Sequence, residues 1–345
     1  MITCTIAKAK PLSPRKAGNA VVDIADRMAP RIARAFRRAV AGLQSETVLK
    51  ELAAAIENAL ASGIAEATVQ AAIENSALDT LSRQLKGLVD ETRKVYAEGA
   101  SIVEEQLPRG FKAKFSFDAV NPRAAKFLHE YGMDLITRVG TDSRAAIRAA
   151  VQEGVAQGAN PRQFARTIRD HIGMTEAQAK AAMNYRRMLE SGDPALMGQT
   201  LTRALRDARY DGTVERAAEA GRRLPQAKIN ELVDRYIERS VKLRAETIGR
   251  SESIRAAQAG NHEGWKQFEE QLPEAKGKLR RFWAPTSDER TREAHMTIPE
   301  LNPDGVGLDE PFESILGPIM FPGDPDAVAA NTINCRCAIY VRIAD

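Results

Sequence analysis

The sequence predicts a mainly α protein, with elongated helical N-terminal and middle regions and a small α+β domain at its C-terminus. Three observations carry this. From about residue 15 to 270 the chain is built of Ala, Leu, Arg and Glu with apolar residues three and four apart, the period of an amphipathic helix. Aromatic residues make up only 5% while hydrophobic residues make up 43%, so the core is one of small and aliphatic side chains suited to closely spaced helices. Between Leu279 and Ile343 the composition changes: aromatic and β-branched residues rise, Pro and Gly cluster, and Cys335 and Cys337 appear.

Taken in order, residues 1–14 read as an arm closed by Pro11 and Pro14, and the N-terminus lacks the apolar core of a secretion signal. No run of 18 apolar residues exists, so no membrane span is expected. A helix follows from about Arg15 to Ser45, with Val22, Ile24, Met28, Ile32 and Phe36 on one stripe. Further helices cover 46–60 and 62–107, ended by Pro108-Arg109-Gly110. Such long polar-faced helices fit a bundle or an interface between copies of the chain. The alternation Lys112 to Phe117 is read as a short strand or an extended linker. Boundaries near 118 and 245 divide the sequence into an N-terminal helical region (1–118), a helical middle domain (119–245) and a C-terminal domain (246–345).

The middle region carries the clearest helix punctuation. Asn121-Pro122 starts one helix, Thr141-Asp142-Ser143 is expected to cap a second, and Asn160-Pro161 starts a third that ends at Gly173. Thr175 with Gln178 forms a capping box for a fourth, ending at Ser191-Gly192. Two shorter helices lead to Gly221, and a long helix then runs from Pro225-Gln226 toward Trp265. Between Asn121 and Arg250 stand 23 Lys/Arg against 16 Asp/Glu, within a chain of net charge +4. The helix pair over 161–190 bears Arg162, Arg166, Arg169, Arg186 and Arg187, which makes these the candidates for contact with DNA. A plain antiparallel helix pair gives the same pattern.

The last hundred residues hold the remaining candidates. Leu279–Ala284 reads as a strand, Asp288-Glu289-Arg290-Thr291-Arg292 as a turn leading to a short helix with His295, and Asp324–Ala330 as a helical turn. A closing strand follows Asn334-Cys335-Arg336-Cys337. Three chemistries fit these residue types. The turn Asp288 to Arg292 would tie the loop to the closing strand at Cys335-Arg336-Cys337, the arginine fork suiting carboxylates such as Asp288, Glu252 or Asp324. His295, Cys335 and Cys337 offer three zinc ligands where a structural site normally takes four. His295, Asp288 and Asn334 in a hydrolase or nuclease site would need a substrate pocket that spacing does not supply.

With Trp283, Asp288, Arg290-Thr291-Arg292, His295, Phe312, Phe321-Pro322-Gly323-Asp324-Pro325 and Asn334-Cys335-Arg336-Cys337 in hand, the C-terminal stretch resembles the tailed-phage head morphogenesis domain. That domain defines the Mu F-like minor head protein family. Arg250-Ser251-Glu252 is similar to the segment that opens the domain, and residues 121–245 resemble the helical region before it. The resemblance implies a structural, non-enzymatic minor head protein of a phage virion without a cofactor. It implies association with the portal protein or inner capsid and scaffold, contact with packaged DNA during packaging or ejection, and assembly in the host cytoplasm. Arg250, Glu252, Trp283, Asp288, Arg290, Arg292, His295, Asn334, Cys335, Arg336 and Cys337 are then the expected structural ties of the domain.

Overall fold

The structure is a computed structural model that describes residues 14–47, 50–51, 53–54, 57, 83–107, 109–112, 114–156, 161–286 and 288–343. The expected helices over 46–60 and 62–82 therefore lie largely or wholly outside the described residues, as do the N-terminal arm and Cys4. The described helices are α1 (Pro14–Leu43), α2 (Lys86–Gln106), α3 (Arg109–Lys112), α4 (Pro122–Ala156), α5 (Pro161–His171), α6 (Glu176–Glu190), α7 (Pro194–Thr200), α8 (Asp211–Glu219), α9 (Gln226–Gln271), α10 (Glu293–Met296), α11 (Ile298–Leu301) and α12 (Ala329–Thr332). Strands β1 (Leu279–Ala284) and β2 (Ala338–Ile343) form the sheet found among the described residues. It is antiparallel, with Leu279 opposite Ile343 and Ala284 opposite Ala338. The mainly α fold with a small α+β part at the C-terminus is thus present, and no described helix is long and apolar enough to cross a membrane.

Compactness divides the chain into two units, neither contiguous in sequence: the described residues up to Ala35, 88–131 and 246 onward form one, and those within 36–87 and 132–245 form the other. Helices α1, α4 and α9 each contribute to both.

In the second unit the core gathers Ala146, Met183, Tyr185, Leu189, Met197, Val214, Leu232, Val233 and Tyr236 from α4, α6, α7, α8 and α9. Tyr185 and Tyr236 stack at 4.7 Å between ring centroids. The capping box forms as expected, the Thr175 hydroxyl accepting from the Gln178 amide and the Gln178 side chain accepting in return. Gly173 and Gly192 take the positive φ at the ends of α5 and α6 that a residue with Cβ adopts at a cost.

The cap expected at Thr141-Asp142-Ser143 is not one: α4 runs unbroken through it. The buried stripe Leu135, Val139, Ser143, Ile147, Ala150 keeps helical period across the triplet, and that burial outweighs the local capping preference. Ser143 turns its hydroxyl back to the Val139 carbonyl at 2.8 Å, and Asp142 pairs with the buried Arg244 at 2.9 Å.

The first unit is organised on the C-terminal half of α9. Every residue from Ser251 to Asn261 is buried, so no face of this stretch is left to solvent although Glu252, Arg255, Gln258 and Asn261 lie in it. Polar residues occur inside because each side must meet a different neighbour. On one side Gly260 and Gly99 bring α9 and α2 into backbone contact. A Cβ on Gly260 would stand 2.0 Å from the Tyr96 carbonyl oxygen, and one on Gly99 2.2 Å from that of Ala257. On another, the Arg123 guanidinium at the start of α4 forks onto Glu263 at 2.8 and 2.9 Å and reaches Glu270 at 2.7 Å. Tyr96, Phe127 and Tyr131 stack in sequence at 5.3 and 5.7 Å.

Of the segment read as strand or linker before residue 118, Lys112 ends α3, Lys114 is in a turn, and only Phe115–Asp118 follow as non-helical chain, which among the described residues joins no sheet. Its ladder partners are amide side chains: Gln267 accepts from the Asp118 N–H and donates to its carbonyl, and Gln271 does the same for Ser116. Four helical residues rise about 6 Å and two extended residues about 6.7 Å. The glutamines one turn apart therefore match alternate residues of the segment.

Candidate functional site

The C-terminal module closes on α9 through its last loop. The Ser251 hydroxyl accepts from the Asn334 N–H at 3.0 Å, and Arg250 reaches the Asn334 side-chain oxygen at 3.5 Å. Asn334 takes φ +56°, a left-handed conformation that Asn tolerates better than most residues. This turn feeds Cys335-Arg336-Cys337 into β2. In an extended chain alternate side chains share a face. Cys335 and Cys337 accordingly point inward together, while Arg336 points away.

Arg336 meets Asp288 there as a fork, with both N–H···O contacts at 2.6 Å. Asp288 also accepts from the Arg290 backbone N–H at 3.0 Å and from the Thr291 hydroxyl at 3.2 Å, which shapes the turn. Thr286 donates to the Arg336 carbonyl at 2.6 Å, and Arg292 donates to the Ile333 carbonyl just before β2. The Arg290 side chain is 80% exposed and its nearest approach to Asp288 is 3.8 Å. Asp324, expected to suit an Arg fork, instead accepts the backbone N–H groups of Met320 and Asp326, because its loop folds tightly around it. The tight turn at Pro325–Ala327 delays the expected helical turn to α12. Glu252 accepts from the Tyr131 hydroxyl and lies 3.6 Å from Arg255, whose Nε donates to the Gly323 carbonyl at 2.8 Å.

The Arg336 fork holds the Asp288 carboxyl well below the usual carboxylate range. Folding therefore favours its ionised form. That contribution is complete above the unfolded value of about 4 and is lost as pH falls toward the lower folded value. Asp288→Asn is expected to lower the denaturation midpoint at pH 7 and to flatten its decline between pH 5 and 3, read in urea at each pH. An unchanged acid profile would show that this fork does not stabilise the module.

Inside, His295 is buried together with Cys335 and Cys337. Its Nε2 lies 2.8 Å from the Asn331 Oδ1, and its Nδ1 lies 3.6 Å from the Cys335 sulfur and 3.3 Å from that of Cys337. Trp283 stands edge-on to the His295 ring and to Phe312, 5.5 Å from each. The neighbouring Cys335 thiol, and then the imidazole, draw the Cys337 thiol down to about 5, while Cys335 is pushed well above its ordinary value by Cys337 and by burial. Burial opposes the charged imidazole, but the bond to Cys337 leaves it raised.

Two residues of this module escaped the sequence reading. Arg281 is 1% exposed and donates from Nε to the Gly307 carbonyl at 2.9 Å, from Nη1 to Met320 at 2.6 Å and from Nη2 to Glu310. Its signal was the strand alternation, which sets Arg281 on the inward face with Leu279 and Trp283. Asn331 carried no signal of its own.

Of the arginines marked for DNA, Arg166 and Arg169 are on α5, and Arg186 and Arg187 on α6; the Arg162 side chain lies outside the described ones. Arg169 bonds Asp170 at 2.6 Å, Arg186 bonds Asn230 at 2.8 Å and Arg187 lies 3.7 Å from Glu153. Arg166 is exposed and acts on Asp170 through its charge.

Fold and site together define a helical protein whose terminal α+β module is tied to α9 through Asn334 and Ser251 and across its own loops by the Asp288–Arg336 fork. The model of the family described as Phage Mu protein F like protein matches residues 145–340, more than half of the chain, and the chain belongs to that family. It is a phage head-related protein of a structural family. No curated protein and no solved structure matches it.

Proposed function

We propose that the chain is a structural minor head protein of the virion, acting in head morphogenesis beside the portal, and that its C-terminal module is the part that docks. The observation that carries this reading is the family match over residues 145–340, which takes in α9 and the Asp288–Arg336 fork that closes the module. Asp288 takes the Arg336 fork, the Arg290 N–H and the Thr291 hydroxyl together, which supports reading the loop as a fixed surface. A binding surface presented by a closed loop depends on the tie that closes it.

The test is copurification. Tagged chain expressed with the portal protein of the same phage is expected to retain it on washing, and Asp288→Ala is expected to lose most of it. Portal absent from the unaltered chain's eluate, together with absence of the chain from purified heads, would overturn the proposal.

A further inference from the structure

The geometry points to a metal site: His295 Nδ1, Cys335 Sγ and Cys337 Sγ form a three-ligand seat for a thiophilic divalent cation of the zinc class, the fourth position falling to water. This goes beyond a docking module and does not depend on it. It also departs from the expectation of no cofactor.

Four observations build the seat. The first is spacing. Zinc–sulfur bonds of about 2.3 Å and zinc–nitrogen bonds of about 2.0–2.1 Å at tetrahedral angles put ligand nitrogen and sulfur roughly 3.6 Å apart. The Nδ1···Sγ distances are 3.6 and 3.3 Å, and all three ligand atoms lie within 4.8 Å of one another. The second is the imidazole's orientation. Asn331 Oδ1 can only accept, so Nε2 is the nitrogen that donates to it, and the other ring nitrogen, Nδ1, is the one facing the sulfurs, where a cation would displace any proton it carries. A ligating His held by an acceptor on its other nitrogen is the usual outer-shell arrangement. Asn331 is itself 0% exposed, and its amide donates to the Ser314 hydroxyl at 3.3 Å.

The third is burial. His295 is 1% exposed and each cysteine 2%. Two thiolates around a divalent cation with a neutral imidazole sum to zero, which removes the cost of burying either charge alone. The fourth is the path of the chain. The left-handed Asn334 and the extended strand behind it bring both sulfurs to one face, and the Arg336 fork on the opposite side fixes that twist.

Binding consumes no redox equivalent: the cation replaces the thiol protons, which leave to buffer. Cobalt(II) is the probe, titrated into the reduced full chain carrying Cys4→Ser so that only these two thiols remain. Saturation at one cobalt per chain is expected, with thiolate-to-metal charge-transfer absorption that stoichiometric zinc abolishes. Asn331→Ala is expected to weaken affinity by about 10–100-fold, and Cys337→Ser to reduce the charge-transfer intensity. His295→Ala should lose tight binding. No charge-transfer band in the Cys4→Ser chain, nor in the unaltered reduced chain titrated beside it, would overturn the site, and neither measurement alters the seat itself. A band surviving undiminished in a Cys335→Ser, Cys337→Ser chain that keeps Cys4 would place the ion elsewhere and overturn it equally.

Discussion

Arg281→Ala is expected to cost the C-terminal module on the order of 4 kcal/mol, the range seen when a buried charged partner is removed and its acceptors stay behind. The reason is where the guanidinium's bonds go. Its three bonding nitrogens serve the carbonyls of Gly307, Glu310 and Met320, three points on one long loop, while its plane lies over Phe312 at 5.2 Å. The Arg281 backbone also pairs both ways with Val306, at 2.8 and 2.9 Å, so strand and side chain hold the loop together. Burial brings the group down to about 10, which leaves it charged at neutral pH. Without it the three carbonyls face a void, and the loop must open to hydrate them. Arg281→Met fills the volume without a donor and is expected to lose nearly as much. Arg281→Lys keeps a charge, but a single nitrogen cannot span the three carbonyls, and recovery is partial. Both tryptophans of the chain, Trp265 and Trp283, lie in this unit, so their fluorescence in a urea titration reports it. A midpoint for Arg281→Ala equal to that of the unaltered chain would sink the idea.

That such a residue went unnoticed shows how far the sequence could be read. The strands β1 and β2, the capping box at Thr175 and the long helix were legible because period and punctuation are local: six residues that alternate, or a Thr with Gln three positions on, carry their own signal. The family could be named from the residues that punctuate the C-terminal loops. The cap misread at Thr141 failed for the opposite reason. Capping chemistry is local, but whether α4 stops there depends on what covers Val139 and Ser143, which no window of sequence contains. Asn331, the Gln267 and Gln271 surrogate ladder and the carbonyl cage around Arg281 share that cause. Each is an ordinary polar residue until the fold supplies a partner 26 to 155 positions away.

The same distinction sets the second large expected effect, at the crossing of α2 and α9. Gly260→Ala is expected to destabilise the first unit by about 3 kcal/mol, the upper part of the usual overpacking range, although Ala is the better helix former. Propensity alone predicts a gain of about 1 kcal/mol for removing a helical glycine. It loses here because the added carbon would sit 2.0 Å from the Tyr96 carbonyl oxygen, which is backbone and cannot rotate away. The helices must separate, and the buried residues between Ser251 and Asn261 lose contacts along with Gly260. Asn261 would then give up its bond to the Gly99 carbonyl, now 3.3 Å long. Gly99→Ala meets the Ala257 carbonyl at 2.2 Å from the other side and is expected to cost a similar amount. The two losses should not add, since one separation relieves both clashes. Gly198→Ala provides the control: nothing lies within 4 Å of its added carbon in α7, so propensity decides and the change is expected to be neutral or stabilising. Urea titrations of the three single variants and the Gly99/Gly260 double variant, followed by far-ultraviolet circular dichroism and tryptophan fluorescence, read these signs directly. Equal midpoints for Gly260→Ala and Gly198→Ala would mean that the two helices do not cross in backbone contact, and the packing of α9 would have to be redrawn.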